Sequence, residues 1–139
     1  MIRAFVAAVA VAFMATALGC TSKPNSSGAV AQAAPVGFVQ SETVDGIPVK
    51  LSVEPFKPGS NTFVVLTQET GITAVETQVI MLEMGHGEIL DMPPTAAGRY
   101  EVTSPAINME GKWMLRVKLT TTSGEEKLAT FYGKIPPPQ

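Results

Sequence analysis

The strongest constraint on the fold comes from the side-chain pattern of residues 112–121. Large apolar side chains occupy every second position there, namely Trp113, Leu115, Val117 and Leu119. The positions between them hold Lys112, Met114, Arg116 and Lys118. A period of two puts one set on each face of a β-strand. We therefore predict a strand with its tryptophan-bearing face in the core and with Met114 facing outward.

The chain after residue 40 continues in short runs of this kind. Gly and Pro interrupt the runs, and no stretch shows the 3.6-residue apolar repeat of an amphipathic helix. We predict seven strands, at residues 47–55, 62–67, 75–84, 88–91, 99–104, 112–121 and 127–134. Turn-forming residues separate strands at 58–61 and 122–125. Seven short strands in about 95 residues predict an all-β fold, an Ig-like antiparallel β-sandwich.

The third run also has two alternating faces. Ile80, Leu82 and Met84 fall on one of them, and their apolar character indicates packing. Val79, Met81 and Glu83 fall on the other. We therefore predict that Met81 faces outward.

The first 20 residues have the organisation of an export signal. Arg3 gives a positive start, residues 4–18 are uncharged and apolar, and the run stops at Cys20. A transmembrane helix needs about 20 apolar residues, so the run is short for a span. The sequence Ala17-Leu18-Gly19-Cys20 resembles the lipobox of bacterial lipoproteins, in which the cysteine is acylated. We predict a lipid anchor on Cys20, with ordinary signal-peptidase cleavage as the alternative.

The chain divides into four parts on this interpretation. Residues 1–20 are the lipoprotein signal peptide, 21–40 a flexible tether, 41–135 the sandwich and 136–139 a proline-rich tail. Cys20 is the only cysteine, so no intrachain disulfide can form. The predicted location is outside the cytoplasm, anchored to the bacterial membrane on its periplasmic or cell-surface side.

Charge and residue content narrow the function classes. Without Arg3, 9 Lys and Arg residues stand against 12 Asp and Glu, and the basic residues do not cluster. Nucleic acid is therefore not an expected partner. No nucleophile accompanied by a base and no paired carboxylates are recognisable, so we predict that the protein is not an enzyme.

The candidate binding residues are methionines grouped around a single histidine. Met81, Met84, Met92, Met109 and Met114 lie within 34 positions of the chain, together with His86. Thioether sulfur and imidazole without thiolates suit Cu(I), and imidazole also binds Cu(II). The alternative is that the methionines fill the core and that His86, between two glycines, is an exposed turn residue.

Whether residues 88–91 form a strand decides which of these residues lie close together. If residues 88–91 form a strand, the connections 85–87 and 105–111 lie at the same end of the sandwich. His86 and Met109 are then neighbours, Met84 lies close by, and Met92 lies at the far end. If residues 85–97 form one long loop instead, His86 and Met109 separate.

Four segments resemble the YtkA-like family, small Ig-like domains of exported bacterial proteins that also occur within copper-uptake proteins. They are Pro58-Gly59-Ser60-Asn61-Thr62-Phe63, Met84-Gly85-His86-Gly87, Gly98-Arg99-Tyr100 and Asn108-Met109-Glu110-Gly111-Lys112-Trp113. The resemblance implies copper binding or handling at the cell envelope, with Met84, His86 and Met109 at the positions of the family's Met/His motifs.

Two functions follow from the sequence. The first is a membrane-anchored lipoprotein that binds or hands on copper through Met84, His86 and Met109, with Met81 or Met92 as auxiliary ligands. Its expected partners are the membrane, through Cys20, and an envelope copper-handling or membrane protein. The second is a non-metal interaction or structural module of the envelope, with Met81 and Met114 as contact residues.

Overall fold

The computed structural model describes residues 37–139, which form a sandwich of nine strands in two antiparallel sheets. The strands are β1 (Phe38–Val44), β2 (Ile47–Glu54), β3 (Asn61–Thr67), β4 (Ile72–Met81), β5 (His86–Asp91), β6 (Pro94–Ala96), β7 (Arg99–Ser104), β8 (Gly111–Thr121) and β9 (Glu126–Ile135). One sheet has the order β1-β2-β3-β7-β6 and the other β5-β4-β8-β9. The predicted all-β sandwich is confirmed, with nine strands in place of seven.

The tryptophan-bearing face of β8 is buried, as its alternation predicts. Trp113, Leu115 and Val117 are buried, whereas Lys112 and Arg116 lie on the opposite face. The inward residues of both sheets form one apolar core, and that core and all nine strands lie within residues 38–135. Within residues 37–139 no helix has the length and apolar character to cross a membrane.

The faces predicted for the third run are wrong. β4 ends at Met81, and Met81 is only 6% exposed, whereas Leu82 and Met84 are 44% and 58% exposed. The inward positions of β4 are Val75, Thr77, Val79 and Met81. Residues 82–84 belong to the following turn, so their alternation with Ile80 does not place them in the core.

Two strands have no counterpart among the predicted runs. β1 buries only Phe38 fully and exposes most of its other side chains, so it lacks a core-facing alternation. It forms because its backbone pairs along its length with β2. Its start at Phe38 lies inside the segment predicted as a tether. β6 has three residues at the sheet edge and begins with Pro94, a position that tolerates a missing N–H donor.

The end of the sandwich that carries His86 is formed by turns 55–60 and 82–85 and loop 105–110, and we call it the histidine end. The amide of Gly59 donates to the Ile107 carbonyl at 2.8 Å, which ties the first turn to the loop. The amide of Leu82 donates to the Lys112 carbonyl at 2.9 Å, which ties the second turn to β8. Ile107 is fully buried, so the loop is also held by packing.

Candidate functional site

The β4–β5 hairpin places His86 opposite Met81. Its turn closes with a hydrogen bond of 2.9 Å from the Gly85 amide to the Met81 carbonyl. Gly85 has φ of 65°, a left-handed conformation that glycine adopts without steric cost. His86 is therefore the first residue of β5 and remains exposed.

A row of side chains runs across the core-facing side of this sheet at the histidine end. His86 pairs with Met81 on β4, and Met81 pairs in turn with Trp113 on β8. Directly opposed residues share a sheet face with Cβ atoms about 4.5–5.5 Å apart. Met81 thus lies between the imidazole and the indole. The prediction that Met81 faces outward is wrong because β4 pairs in this register.

A cavity of about 110 Å³ joins His86 to loop 105–110. Its lining includes His86, Glu88, Ala106, Asn108 and Trp113. Residues 88–91 belong to a strand, β5, which is the first of the two alternatives considered from the sequence. Turn 82–85 and loop 105–110 therefore lie at the same end of the sandwich. The structure thus brings His86 beside Ala106 and Asn108 of the loop, whereas Met109 does not line the cavity, and the predicted contact of His86 with Met109 stays a prediction.

Met109 is anchored through its backbone. Its carbonyl accepts a hydrogen bond of 3.2 Å from Nε1 of Trp113. Its side chain is half-buried and packs against the core cluster. The same indole that lines the cavity beside His86 thus holds the Met109 segment in place.

The other methionines lie in three different environments. Met84 is 58% exposed on the turn, two residues before His86, and does not line the cavity. Met92 is buried, and its sulfur accepts a hydrogen bond of 2.8 Å from Oγ1 of Thr77. Met114 lies half-buried on the outer face of β8. The structure therefore groups His86, Met81 and the Met109 loop, and keeps Met92 and Met114 away from them.

Glu83 also lies at this end, and its contact with β8 was not predicted from the sequence. Both of its carboxylate oxygens accept from the backbone amide of Lys112, at 3.2 and 3.1 Å. This contact fastens the turn that carries Met84 to the start of β8. The only sequence signal for it is a carboxylate within a turn, which many exposed residues share.

The ion pairs of the described residues lie toward the opposite end. Lys118 pairs with Glu76 and Glu126, and Lys127 pairs with Asp45 and Glu125. The hydrogen bond with Glu76 raises the pKa of Lys118, and the one with Glu125 raises the pKa of Lys127. No ion pair engages His86 in this part of the chain.

The donors at the histidine end suit a soft metal ion. Among residues 37–139, no three His, Cys, Asp or Glu side chains are grouped to hold a metal. The residue directly opposite His86 on β4 is Met81, whose side chain is a thioether. Thioether and imidazole together fit copper. Cys20, the predicted lipidation site, lies outside the described residues.

Comparison with known proteins adds little to the assignment. No protein-family model matches the chain, and no curated protein matches it. The resemblance to YtkA-like domains therefore stays a prediction. Among solved structures, the chain is similar to the soluble domain of PmoD from Methylocystis sp. ATCC 49242, with 16% identity and a TM-score of 0.45. That match covers 58% of this chain and 75% of the PmoD domain.

Proposed function

We propose that this protein is an envelope lipoprotein, anchored through Cys20, whose β-sandwich binds or hands on copper at the histidine end. The ligands are His86, Met109 and Met84, with Met81 as the auxiliary ligand, all four from the set that the sequence predicts. The role is binding and transfer of a metal and not catalysis.

The pairing of His86 with Met81 carries this proposal. Register fixes a soft sulfur donor beside the only histidine of the chain. Loop 105–110, held by Ile107 and by the indole of Trp113, carries Met109 at the same end of the sandwich. A preorganised pair of donors loses less conformational entropy when it binds a ligand than donors on free loops.

Met84 fits a different part of the same site. It is exposed on the turn that leads into His86, and Glu83 fastens that turn to β8. A thioether that is accessible from solvent can be the first to receive a metal ion and the last to release it. Met81, which is buried, cannot exchange a ligand with a partner in this way.

A non-metal interaction module is the second candidate. The observation in its favour is the number of exposed large apolar side chains on one sheet, among them Leu82, Ile89 and Tyr132. Met81 is not available as a contact residue because it is buried, whereas Met114 remains on the outer face.

The test is a Cu(I) competition titration of residues 21–139 and of single variants. We expect one equivalent to bind, and His86→Ala, Met81→Leu and Met109→Leu each to weaken binding by about tenfold or more. Leucine conserves the volume of methionine and removes its sulfur, so the fold is kept. Met114→Leu is the matched control and leaves the affinity unchanged.

A second readout uses the single tryptophan. Trp113 lines the cavity with His86, so metal bound there quenches its fluorescence at the same stoichiometry. Failure of the wild-type domain to compete for Cu(I) would remove the copper function. Equal weakening by Met114→Leu would place the metal elsewhere on the chain.

A further inference from the structure

The outer face of the β5-β4-β8-β9 sheet carries an apolar patch next to the histidine end. Cross-strand register puts Ile80, Met114 and Tyr132 side by side in one row. Ile89 and Leu82 flank this row, at 59% and 44% exposure, and Tyr132 is 58% exposed. We call these five residues the outer patch. In the folded domain three of these five side chains are exposed and Ile80 and Met114 are half-buried.

Three cations accompany the outer patch. Lys112 and Lys134 are directly paired residues of β8 and β9, and Arg116 lies four residues after Lys112 along β8. Among residues 37–139 none of the three forms an ion pair. The acidic residues of this face, Glu76, Asp91 and Glu126, lie further from the histidine end.

The paired lysines are not explained by folding. Like charges directly opposite each other on neighbouring strands destabilise a sheet. An apolar surface with a tyrosine and unpaired lysines at its border matches the boundary of a lipid bilayer. Tyrosine is enriched at that boundary, and lysine extends its charge to the headgroups while its stem contacts apolar groups.

The point of chain entry also favours a bilayer. Phe38 begins β1 beside β9, and its Cδ2 lies 3.1 Å from the position a Cβ would take on Gly133. Gly133 stands between Tyr132 and Lys134. Gly133 pairs with Trp113 and belongs to the core-facing side of β9, so Phe38 brings the chain to the strand that carries Tyr132 and Lys134 on its other face.

We propose that the outer patch, with Lys112, Arg116 and Lys134, docks on an anionic lipid surface. The physiological role of this docking rests on the proposed lipid anchor, because acylation of Cys20 brings the surface within reach. Residues 21–37 span at most about 60 Å when extended. A linker of this length gives the docking surface an effective concentration in the millimolar range at the membrane. A contact with a Kd in the millimolar range is therefore populated.

Docking through the outer patch places the histidine end of the domain at the membrane surface. Leu82 belongs both to the outer patch and to the turn that carries Met84. The exposed thioether thus lies at the level of the headgroups, where a membrane-embedded partner can reach it.

The experiment uses residues 21–139, free of metal and of any lipid, with sedimenting vesicles. The vesicles are pure phosphatidylcholine or an equimolar mixture with phosphatidylglycerol. We expect partitioning into the anionic vesicles only, and a loss of about tenfold or more for Lys134→Glu, since each cation near such a surface contributes about fivefold. Lys50→Glu, the same charge change on the other sheet, should cost less than about threefold.

Tyr132→Ser and Leu82→Ser test the apolar part of the surface, and both should also weaken partitioning. These substitutions are at exposed positions and should leave the urea midpoint nearly unchanged. Equal effects of Lys134→Glu and Lys50→Glu, or no partitioning at all, would overturn the proposal and leave a protein partner for this face. Because no metal is present, failure here is distinguishable from failure of copper binding.

Discussion

Met81 and His86 face each other as directly paired residues at the end of the β4–β5 hairpin, on the core-facing side of the sheet. Met81 is 6% exposed, whereas His86 is open to solvent. This pairing puts a buried methionine side chain beside an accessible histidine.

The pH dependence of copper affinity tests the role of the imidazole. A nitrogen ligand loses its metal to a competing proton, so Cu(I) affinity should fall as the pH is lowered from about 7.5 to 5. His86→Met replaces the imidazole with a donor that does not titrate. Its Cu(I) affinity should be flat between about pH 7.5 and 5, as followed by competition titration. A flat profile for the wild type would take His86 out of the site.

Gly87→Ala should separate the two paired residues. A Cβ at this position would overlap the Val79 carbonyl oxygen and lie 2.9 Å from Cα of Ile80, which are backbone atoms that cannot move aside. We expect a loss of about 1–3 kcal/mol in urea unfolding, together with weaker Cu(I) binding.

Gly85→Ala is the comparison for that variant. Gly85 has φ of 65° and nothing within 4 Å of its Cβ position, so its substitution is strained only by backbone conformation. It should cost about 1 kcal/mol. Identical stability losses for both variants would contradict the close packing of β5 against β4.

Trp113→Ala should cost about 3–5 kcal/mol and leave a domain that is barely folded or unfolded. Trp113 is 2% exposed in the core at the histidine end, and its Nε1 donates to the Met109 carbonyl. Circular dichroism with urea titration measures the effect. Tyr132→Ala, on the outer face of the neighbouring strand, is the control and should change stability by less than about 0.5 kcal/mol.

Asn61→Ala should loosen the Met109 loop from a distance. Asn61 is 1% exposed, and its Nδ2 donates to the carbonyls of Lys57 and Gly59, both at 2.8 Å. Gly59 in turn holds Ile107. We expect a loss of about 2 kcal/mol, since buried polar groups lose their partners. Amide exchange should accelerate in residues 105–110 more than in β8, and uniform acceleration would contradict this chain of contacts.

Cys20→Ser tests the predicted anchor. The wild-type chain expressed in a bacterium should fractionate with membranes and gain the mass of its acyl groups. Several acyl chains, each stabilised by about 0.8 kcal/mol per buried methylene, hold a protein durably. The serine variant should lose the added mass. An unmodified wild-type cysteine would favour ordinary signal-peptidase cleavage.

The sequence by itself determined the fold class and the core face of β8. The apolar residues of β8 alternate without interruption from Trp113 to Leu119, so all of them lie on one face of the strand and that face must be buried. The turn residues at 58–61 and 122–125 also marked true connections. Local patterns of this strength suffice because burial of one face dominates the energetics of a strand.

Only the tertiary structure decided which face of β4 is buried and where β1 lies. Both alternating sets near Met81 contain apolar residues, and the choice depends on where the strand ends and on its pairing with Trp113 and His86. Thr77 is accepted in the core because the sulfur of Met92 accepts its hydroxyl hydrogen. β1 is stabilised by backbone pairing with β2, which leaves no periodic trace in its side chains. Contacts between residues distant in sequence fix these features, so no local pattern can encode them.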